Sequence, residues 1–253
     1  NAPGGVALLR ELVYQFAVTG KLTLQREEDG CADRVLSNVS RIRNQLIADK
    51  KFKRSPKLES AQLISPRIAI PPSWRWSRLL DLGEINPRNK VDEDSESPVM
   101  ATFLPMAAVS ELHSSTIAGD VRSWSEIRKG YTHFANGDVL LAKITPCFEN
   151  GKAAVVRGLE HNIGSGSTEF HVFRPISEDI NPAYIYLFIR SPLFRTKGEA
   201  SMTGTAGQKR LPTDYFALCA MPLPPTEEQS RIVAKVDELM ALCDQLEVQQ
   251  QDR

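Results

Sequence analysis

The chain has 253 residues, of which 42% are hydrophobic, and its 31 lysine and arginine residues balance 31 aspartate and glutamate residues. This composition suits a soluble globular protein with a packed core, and the balanced charge means that any surface for nucleic acid must be local. No run of about 18 apolar residues could cross a membrane, and the amino end has no signal sequence. The four cysteines, Cys31, Cys147, Cys219 and Cys243, lie far apart without a CxxC pair, which disfavours a zinc site or a disulfide framework and fits a reducing cytoplasm.

Two helices are predicted in an N-terminal helical region, residues 1–54. Apolar residues recur at helical spacing from Val6 to Thr19, and Gly20 is well placed to end that helix in a left-handed cap. A second helix begins near Asp33 and has a heptad rhythm at Val35, Val39, Ile42 and Leu46. The basic run from Arg41 to Lys57 is most simply a solvated face, with phosphate contact as the alternative.

A linker over residues 55–72 and a globular domain over residues 73–223 follow. The linker is rich in proline and serine, and the acidic stretch from Asp92 to Glu96 is expected on a loop away from DNA. Strands are predicted at 101–104, 139–144, 153–156, 169–173 and 217–221, and proline-started helices at 182–190 and 192–200. Trp74 and Trp76 are expected to pack rather than to stack on bases. The fold class is therefore α+β, with a mixed, mostly antiparallel sheet flanked by N-terminal helices and a long C-terminal helix.

The C-terminal segment, residues 224–253, is predicted to form one long helix of the coiled-coil type. Its heptad seam comprises Ile232, Val236, Leu239, Cys243 and Leu246. Thr226 and Gln229 have the spacing of a capping box at the start of the helix. Because no glycine or proline ends the pattern before Arg253, we expect the native chain to continue; an ordinary amphipathic core helix is the alternative.

The residues of the chain do not form a catalytic constellation. Asn181-Pro182-Ala183-Tyr184 only partly resembles the methyltransferase motif Asn/Asp-Pro-Pro-aromatic, and no glycine-rich adenosylmethionine loop precedes it. Nuclease carboxylate spacing and a phosphate-binding GxxxxGK[ST] loop are also absent. The four histidines, His113, His133, His161 and His171, have no paired ligand spacing, so no metal site is predicted.

Two stretches instead have the side chains that sequence-specific DNA binding requires. The first, KITPCFENGK, contains Lys143, Thr145, Asn150 and Lys152 around a strand-turn-strand. The second, TGTAGQKR, contains Thr203, Thr205, Gln208, Lys209 and Arg210 beside two glycines, with Arg195 and Lys197 just upstream. Such residues can hold phosphates and reach base edges, although a solvated turn is the alternative interpretation of each stretch.

Both ends and the middle of the chain resemble one family. The string LPPTEEQSRIVAKVDELMALCDQLE strongly resembles the helix that follows a target-recognition domain in the specificity (S) subunits of type I restriction-modification systems. LLRELVYQFAVTGKL and PPSWRWSRLLDLG are similar to the region before such a domain, and GDVLLAKITPCFENGKAAVV, GSTEFHVFRP and MTGTAGQKRLPTDYFALCAMPLPP follow its internal order. The resemblance implies a non-catalytic subunit that binds half of a split DNA site.

The same resemblance implies partners and divides the candidate residues. Methyltransferase (M) and restriction (R) subunits would bring adenosylmethionine, ATP and Mg²⁺, none of which is expected in this chain; a second recognition domain, or a second copy, would associate through the long helices. Glu169, Phe170 and Phe173 are expected to be framework, Gln208 and Arg210 base readers, and Lys143, Lys152 and Lys209 phosphate contacts. Two alternatives stay open: the specificity region of a fused restriction-methyltransferase, and a helix-mediated interaction protein without a DNA role.

Overall fold

The architecture is that of a computed structural model, which describes residues 4–52, 68–91, 98–113, 119–205 and 207–251. The chain divides into two compact units. The helical unit comprises Asn1–Leu82, Ile176–Thr196 and Leu218–Arg253, and the sheet unit comprises Gly83–Pro175 and Lys197–Ala217. The acidic stretch 92–96, the end of the basic run and much of the predicted linker lie outside the described residues.

Helices dominate the helical unit. Its elements are α1 (Gly5–Ala17), α2 (Ala32–Ala48), β1 (Arg75–Arg78), α3 (Leu79–Leu82), α5 (Pro182–Arg190), the first half of α6 (Pro192–Ser201), β10 (Ala220–Leu223) and α8 (Thr226–Gln251). Helix α8 packs against α1 and α5, and β1 pairs antiparallel with β10. As predicted, Gly20 follows α1 in a left-handed conformation, at φ +71°. Asn181 caps α5 by accepting a hydrogen bond from the Ala183 amide at 2.9 Å, and Pro182 starts that helix.

The predicted heptad seam describes the burial of α8 only in part. Ile232, Val236 and Cys243 are buried, whereas Leu239 is half-buried and Leu246 is exposed. The buried stripe instead passes through Met240, because a straight α-helix repeats every 3.6 residues and departs from a 3.5-residue seam. The long helix itself is confirmed.

The predicted capping box is wrong. The Thr226 hydroxyl donates to the Asp179 carbonyl at 3.2 Å, and the Gln229 side-chain amide donates to the same carbonyl at 3.1 Å. The Gln229 side-chain oxygen accepts from the Asn181 amide at 2.8 Å. These polar groups therefore join the start of α8 to the segment before α5.

Two four-stranded sheets form the sheet unit. The first has the order β2 (Gly83–Ile85), β9 (Phe170–Pro175), β6 (Val139–Ala142) and β7 (Ala153–Val155), and the second has β4 (Asp120–Ser123), β3 (Met100–Leu104), β8 (Ile163–Gly166) and β5 (Thr132–Ala135). Only the pairing of β3 with β8 is parallel among the strands that the structure describes. Leu104, Phe134, Leu140 and Val172 are fully buried in a shared core. The mixed, mostly antiparallel α+β fold is confirmed.

Short helices complete the sheet unit, and one strand prediction needs correction. Helix α4 (Trp124–Ile127) follows β4, and α7 (Thr213–Leu218) begins after the loop that ends at Arg210. The strand expected at 217–221 starts later, at Ala220, because residues 217 and 218 still belong to α7. The domain boundaries at 54, 72 and 223 stay a prediction.

Candidate nucleic-acid interface

The two stretches singled out for DNA binding meet in the sheet unit. The Thr145 amide donates to the Lys209 carbonyl at 3.0 Å, and the Lys209 amide donates to the Thr145 hydroxyl at 3.1 Å. The Leu211 amide donates to the Lys143 carbonyl at 2.8 Å. Residues 143–152, 203–205 and 207–210 therefore form one surface, which we call the basic loop cluster.

The first stretch is a compact turn between β6 and β7. The Phe148 amide donates to the Ile144 carbonyl at 2.9 Å, and the Lys152 amide donates to the Cys147 carbonyl at 3.0 Å. Phe148 is fully buried and anchors the turn, while Lys143 and Lys152 are half-buried. Asn150 is exposed, and its side-chain amide donates to the Glu111 carboxylate at 3.0 Å. An acidic side chain that the sequence did not indicate thus reaches this end of the cluster.

The second stretch is an exposed hairpin. Thr203 and Arg210 exchange backbone hydrogen bonds of 3.0 and 2.8 Å, and the Gln208 amide donates to the Thr205 carbonyl at 3.0 Å to close the tip. Gly204 has a φ of +129°, and a Cβ atom there would lie 2.8 Å from the Gln208 carbonyl oxygen. Glycine is therefore required at position 204 by both backbone conformation and space.

Arg210 is joined to Glu169 by an ion pair. Its Nη2 donates to Glu169 Oε1 at 2.8 Å, and its Nε lies 3.1 and 3.0 Å from the two carboxylate oxygens. This guanidinium holds the pKa of the Glu169 carboxyl below its ordinary value. Phe170 and Phe173 are buried, and their framework role stays a prediction. No local sequence pattern indicates this pair, because 41 positions separate Glu169 from Arg210.

Two upstream cations fall in different units. Arg195 belongs to the helical unit, where it is half-buried and its Nη1 lies 3.5 Å from a carboxylate oxygen of Glu11. Lys197 belongs to the sheet unit and is exposed. Their assignment to a DNA surface stays a prediction.

His171 supports the basic loop cluster from inside. Its ring stacks on Phe216 with 5.1 Å between centroids, and its Nε2 lies 2.9 Å from the Leu211 carbonyl. Burial lowers the pKa of His171 to about 4, so the imidazole is neutral at pH 7. Its contact with Leu211 fixes the backbone beside Arg210.

Two further histidines, His133 and His161, contact backbone. His133 Nε2 lies 2.8 Å from the Arg128 carbonyl, and His161 Nδ1 lies 3.0 Å from the Met100 carbonyl. Within the described ranges, no group of three or more histidine, cysteine, aspartate or glutamate side chains could hold a metal ion. No helix in that part of the chain is both long and apolar enough to cross a membrane.

The two mostly antiparallel sheets and the long helix α8 give the chain an α+β fold. The chain belongs to the family of the type I restriction modification DNA specificity domain, whose model matches residues 56–253. It is 42% identical over 245 residues to the specificity subunit of the type I restriction enzyme EcoAI from Escherichia coli; the match covers 97% of this chain and 41% of that subunit. This membership agrees with the prediction of a recognition component that is not an enzyme.

Solved structures share the fold. The HsdS subunit from Thermoanaerobacter tengcongensis matches with a TM-score of 0.60 and 23% identity, over 74% of this chain and 47% of that chain. A chain from a structure of complex assembly and conformational transition in the type I R-M system matches with a TM-score of 0.53 and 18% identity, over 99% of this chain and 53% of that chain. The sequence thus spans about half or less of the length of these relatives.

Proposed function

We propose that the chain recognises one half of a bipartite DNA target within a type I restriction-modification complex, with the basic loop cluster as the reading surface. The main support for this proposal is the pair of hydrogen bonds between Thr145 and Lys209, which join the two loop stretches. Folding thereby assembles cations and hydrogen-bonding side chains from positions about 60 residues apart on one surface.

The composition of the cluster suits both phosphate and base contacts. Its cations are Lys143, Lys152, Lys209 and Arg210, and its carboxylates are Glu149 and the neighbouring Glu111 and Glu169. Lys143, Lys152 and Lys209 would hold phosphates, since an ammonium group acts as a point charge. Gln208 and Arg210 would reach base edges, and Thr145, Asn150, Thr203 and Thr205 would add polar contacts. Arg195 and Lys197 would add further phosphate contacts.

The helical unit would position this reading surface and bind the partner subunits. On α1, Leu8 is 60% exposed and Leu12 and Phe16 are also exposed; on α8, Leu242 and Leu246 are exposed. Arg10 joins the two helices through ion pairs of 2.6 Å to Asp244 and 2.7 Å to Glu247. These apolar positions would pack on the helices of a second recognition unit, and the assembled helices would dock M subunits in the cytoplasm. Adenosylmethionine, ATP and Mg²⁺ would be bound by the M and R subunits.

The test is duplex binding by the full native polypeptide, with and without the M subunit, over a series of salt concentrations. Lys209→Ala should weaken binding to every sequence and reduce the slope of log affinity against log salt by about 1. Lys129→Ala removes another exposed lysine of the sheet unit, outside the cluster, and should change neither quantity. Equal effects of the two substitutions would reject the basic loop cluster as the DNA surface.

The same binding experiment tests one alternative, and the native reading frame tests the other. A helix-mediated interaction protein would bind the M subunit yet show no affinity for duplex DNA in the resulting complex. A fused enzyme would have methyltransferase motifs upstream of Val6 in the native reading frame, which sequencing of that frame reveals.

A further inference from the structure

Arg210 holds Glu169 along the Nε–Nη2 edge of its guanidinium group. Nε and Nη2 donate to Glu169, and Nη1 donates to the Gln208 carbonyl at 3.2 Å. One N–H on each of Nη1 and Nη2 is outside these contacts, since each terminal nitrogen carries a pair of hydrogens. In a planar guanidinium whose Nε and Nη2 hold a carboxylate, the N–H groups of the terminal Nη1–Nη2 edge are parallel to each other and point away from that carboxylate.

Glu169 is itself firmly held. Its amide donates to the Ser167 hydroxyl at 3.2 Å, its carbonyl accepts from the Lys143 amide at 2.8 Å, and β9 begins at the next residue. Its side chain is half-buried, whereas Arg210 is exposed on the hairpin. The carboxylate therefore belongs to the framework, and it restricts a long side chain that would otherwise lose much rotamer entropy on binding.

Arg210 is also fixed through its backbone. It exchanges hydrogen bonds with Thr203 and forms an isolated bridge with Ile144. Both the main chain and the guanidinium are thus oriented before any ligand is present, which is the arrangement that gives directional recognition.

We propose that Glu169 is a positioning residue that presents Arg210 to a guanine, so that the DNA half-site contains a G·C pair at the position that Arg210 reaches. The inference rests on the proposed function and deepens it. In the major groove only guanine offers two adjacent acceptors, O6 and N7, to a pair of parallel donors. Adenine places a donor beside N7, cytosine presents a donor, and thymine has a single acceptor beside a methyl group.

The charge of the pair favours a base edge over a phosphate. Glu169 neutralises Arg210, so the pair gains little from an anionic phosphate, and the carboxylate itself repels one. A guanine edge is neutral, and it requires directional donors more than net charge. Lys209, the next residue on the hairpin, supplies a cation for the backbone.

The test is selection from a random duplex library by the full native polypeptide together with the M subunit. The wild type should select a G·C pair at one position, and Arg210→Ala should lower that preference roughly tenfold to a hundredfold. Arg210→Lys keeps the charge but lacks the rigid parallel donors, so it should retain only part of the preference. Glu169→Gln should reduce it severalfold and leave preferences at other positions unchanged.

The outcomes separate this inference from the function on which it rests. If Lys209→Ala weakens binding to all sequences while Arg210→Ala and Glu169→Gln leave every base preference intact, the guanine assignment is overturned and the proposed function survives. If Glu169→Gln only tightens binding to all sequences alike, then Glu169 acts only by repelling the DNA phosphates, and the inference again fails. If Lys209→Ala and Arg210→Ala both leave duplex binding unchanged, the basic loop cluster is excluded and both proposals fall. Glu169→Gln preserves side-chain shape, and thermal unfolding of each variant checks that its fold is retained.

Discussion

Trp74 donates its indole N–H to the Glu228 carboxylate at 2.8 Å inside the helical unit. Glu228 is 1% exposed and also accepts from the side chains of Gln25 at 2.5 Å and Thr23 at 3.3 Å. A buried carboxylate with several donors is stable only while those donors remain in place. This group therefore joins the loop after α1, the segment before β1 and the first turn of α8.

Replacement of Glu228 by alanine should leave these donors without their acceptor. We expect Glu228→Ala to lower the free energy of unfolding by about 3 kcal/mol, because unsatisfied buried polar groups cost about 1–3 kcal/mol each. Urea unfolding followed by circular dichroism measures the change. Glu227→Ala, at an exposed neighbouring position, is the control and should have little effect. Similar stabilities of the two variants would show that the Trp74–Glu228 contact contributes little.

The ion pair between Asp29 and Arg231 predicts a pH dependence of stability. Asp29 is buried, its Oδ1 accepts from Arg231 Nη1 at 2.7 Å, and this guanidinium lowers the pKa of the aspartate below its ordinary value of 3.8. A lowered folded-state pKa stabilises the protein above the ordinary value, and the stabilisation is lost as the pH falls through the folded-state pKa. Asp29→Asn should therefore cost about 2 kcal/mol at pH 7, and this cost should decrease as the pH falls below 3.8.

Unfolding curves at pH 7 and below pH 3 compare Asp29→Asn with the wild type. Asp33→Asn is the matched control, because Asp33 pairs with Arg75 at the surface of the same unit, where solvent screens the interaction. A difference between Asp29→Asn and the wild type that stays constant across this pH range would contradict the assigned cause.

Local signals predicted much of the fold. Examples are the apolar period of α8, the proline that starts α5 and the glycine after α1. Each of these signals involves only a few neighbouring residues, so it can be recognised from the sequence without knowledge of the packing. Strand β8 was missed because its sequence, IGSG, has little β propensity. The structure explains these glycines: a Cβ at Gly164 would lie 2.3 Å from the Phe134 ring, and one at Gly166 would lie 2.2 Å from the Leu104 carbonyl oxygen.

The candidate site was predictable in composition but not in geometry. Basic and polar residues indicated both loop stretches, yet nothing local showed that Thr145 and Lys209 hydrogen bond to each other. The same reason explains the wrong prediction at Gln229. Its spacing from Thr226 fits a capping box, but its side chain forms hydrogen bonds with residues about 50 positions away. Long-range hydrogen bonds depend on the final packing, which a local pattern does not encode.

Substitution of the two hairpin glycines should affect DNA binding differently at the two positions. Gly204→Ala should distort the tip, since its Cβ would lie 2.8 Å from the Gln208 carbonyl oxygen at a φ of +129°. We expect DNA affinity to fall about tenfold or more, while the thermal midpoint changes little because the tip is exposed. Gly207→Asn is the control: its φ of +78° suits asparagine, and nothing lies within 4 Å of its Cβ position. Equal losses of affinity in both variants would argue against a role for tip geometry.

The exposed apolar positions of the helical unit predict that assembly and stability respond to different residues. Val236 is fully buried on α8, so Val236→Ala should lower the free energy of unfolding by about 2 kcal/mol. Leu246 is 43% exposed, and Leu246→Lys should change the stability of this chain by less than about 0.5 kcal/mol. The lysine would place a charge on the proposed helix-packing surface, where its desolvation should prevent a second recognition unit from associating.

Sedimentation of the full native polypeptide, alone and with the M subunit, tests this separation of roles. Leu24 is 86% exposed and lies outside α1 and α8, so Leu24→Lys adds the same charge to the helical unit without changing the proposed surface. Loss of association in Leu246→Lys but not in Leu24→Lys supports helix packing at Leu246. Unchanged association in Leu246→Lys would refute that assignment, because the lysine head group cannot be buried in an apolar helix interface without a large free-energy cost.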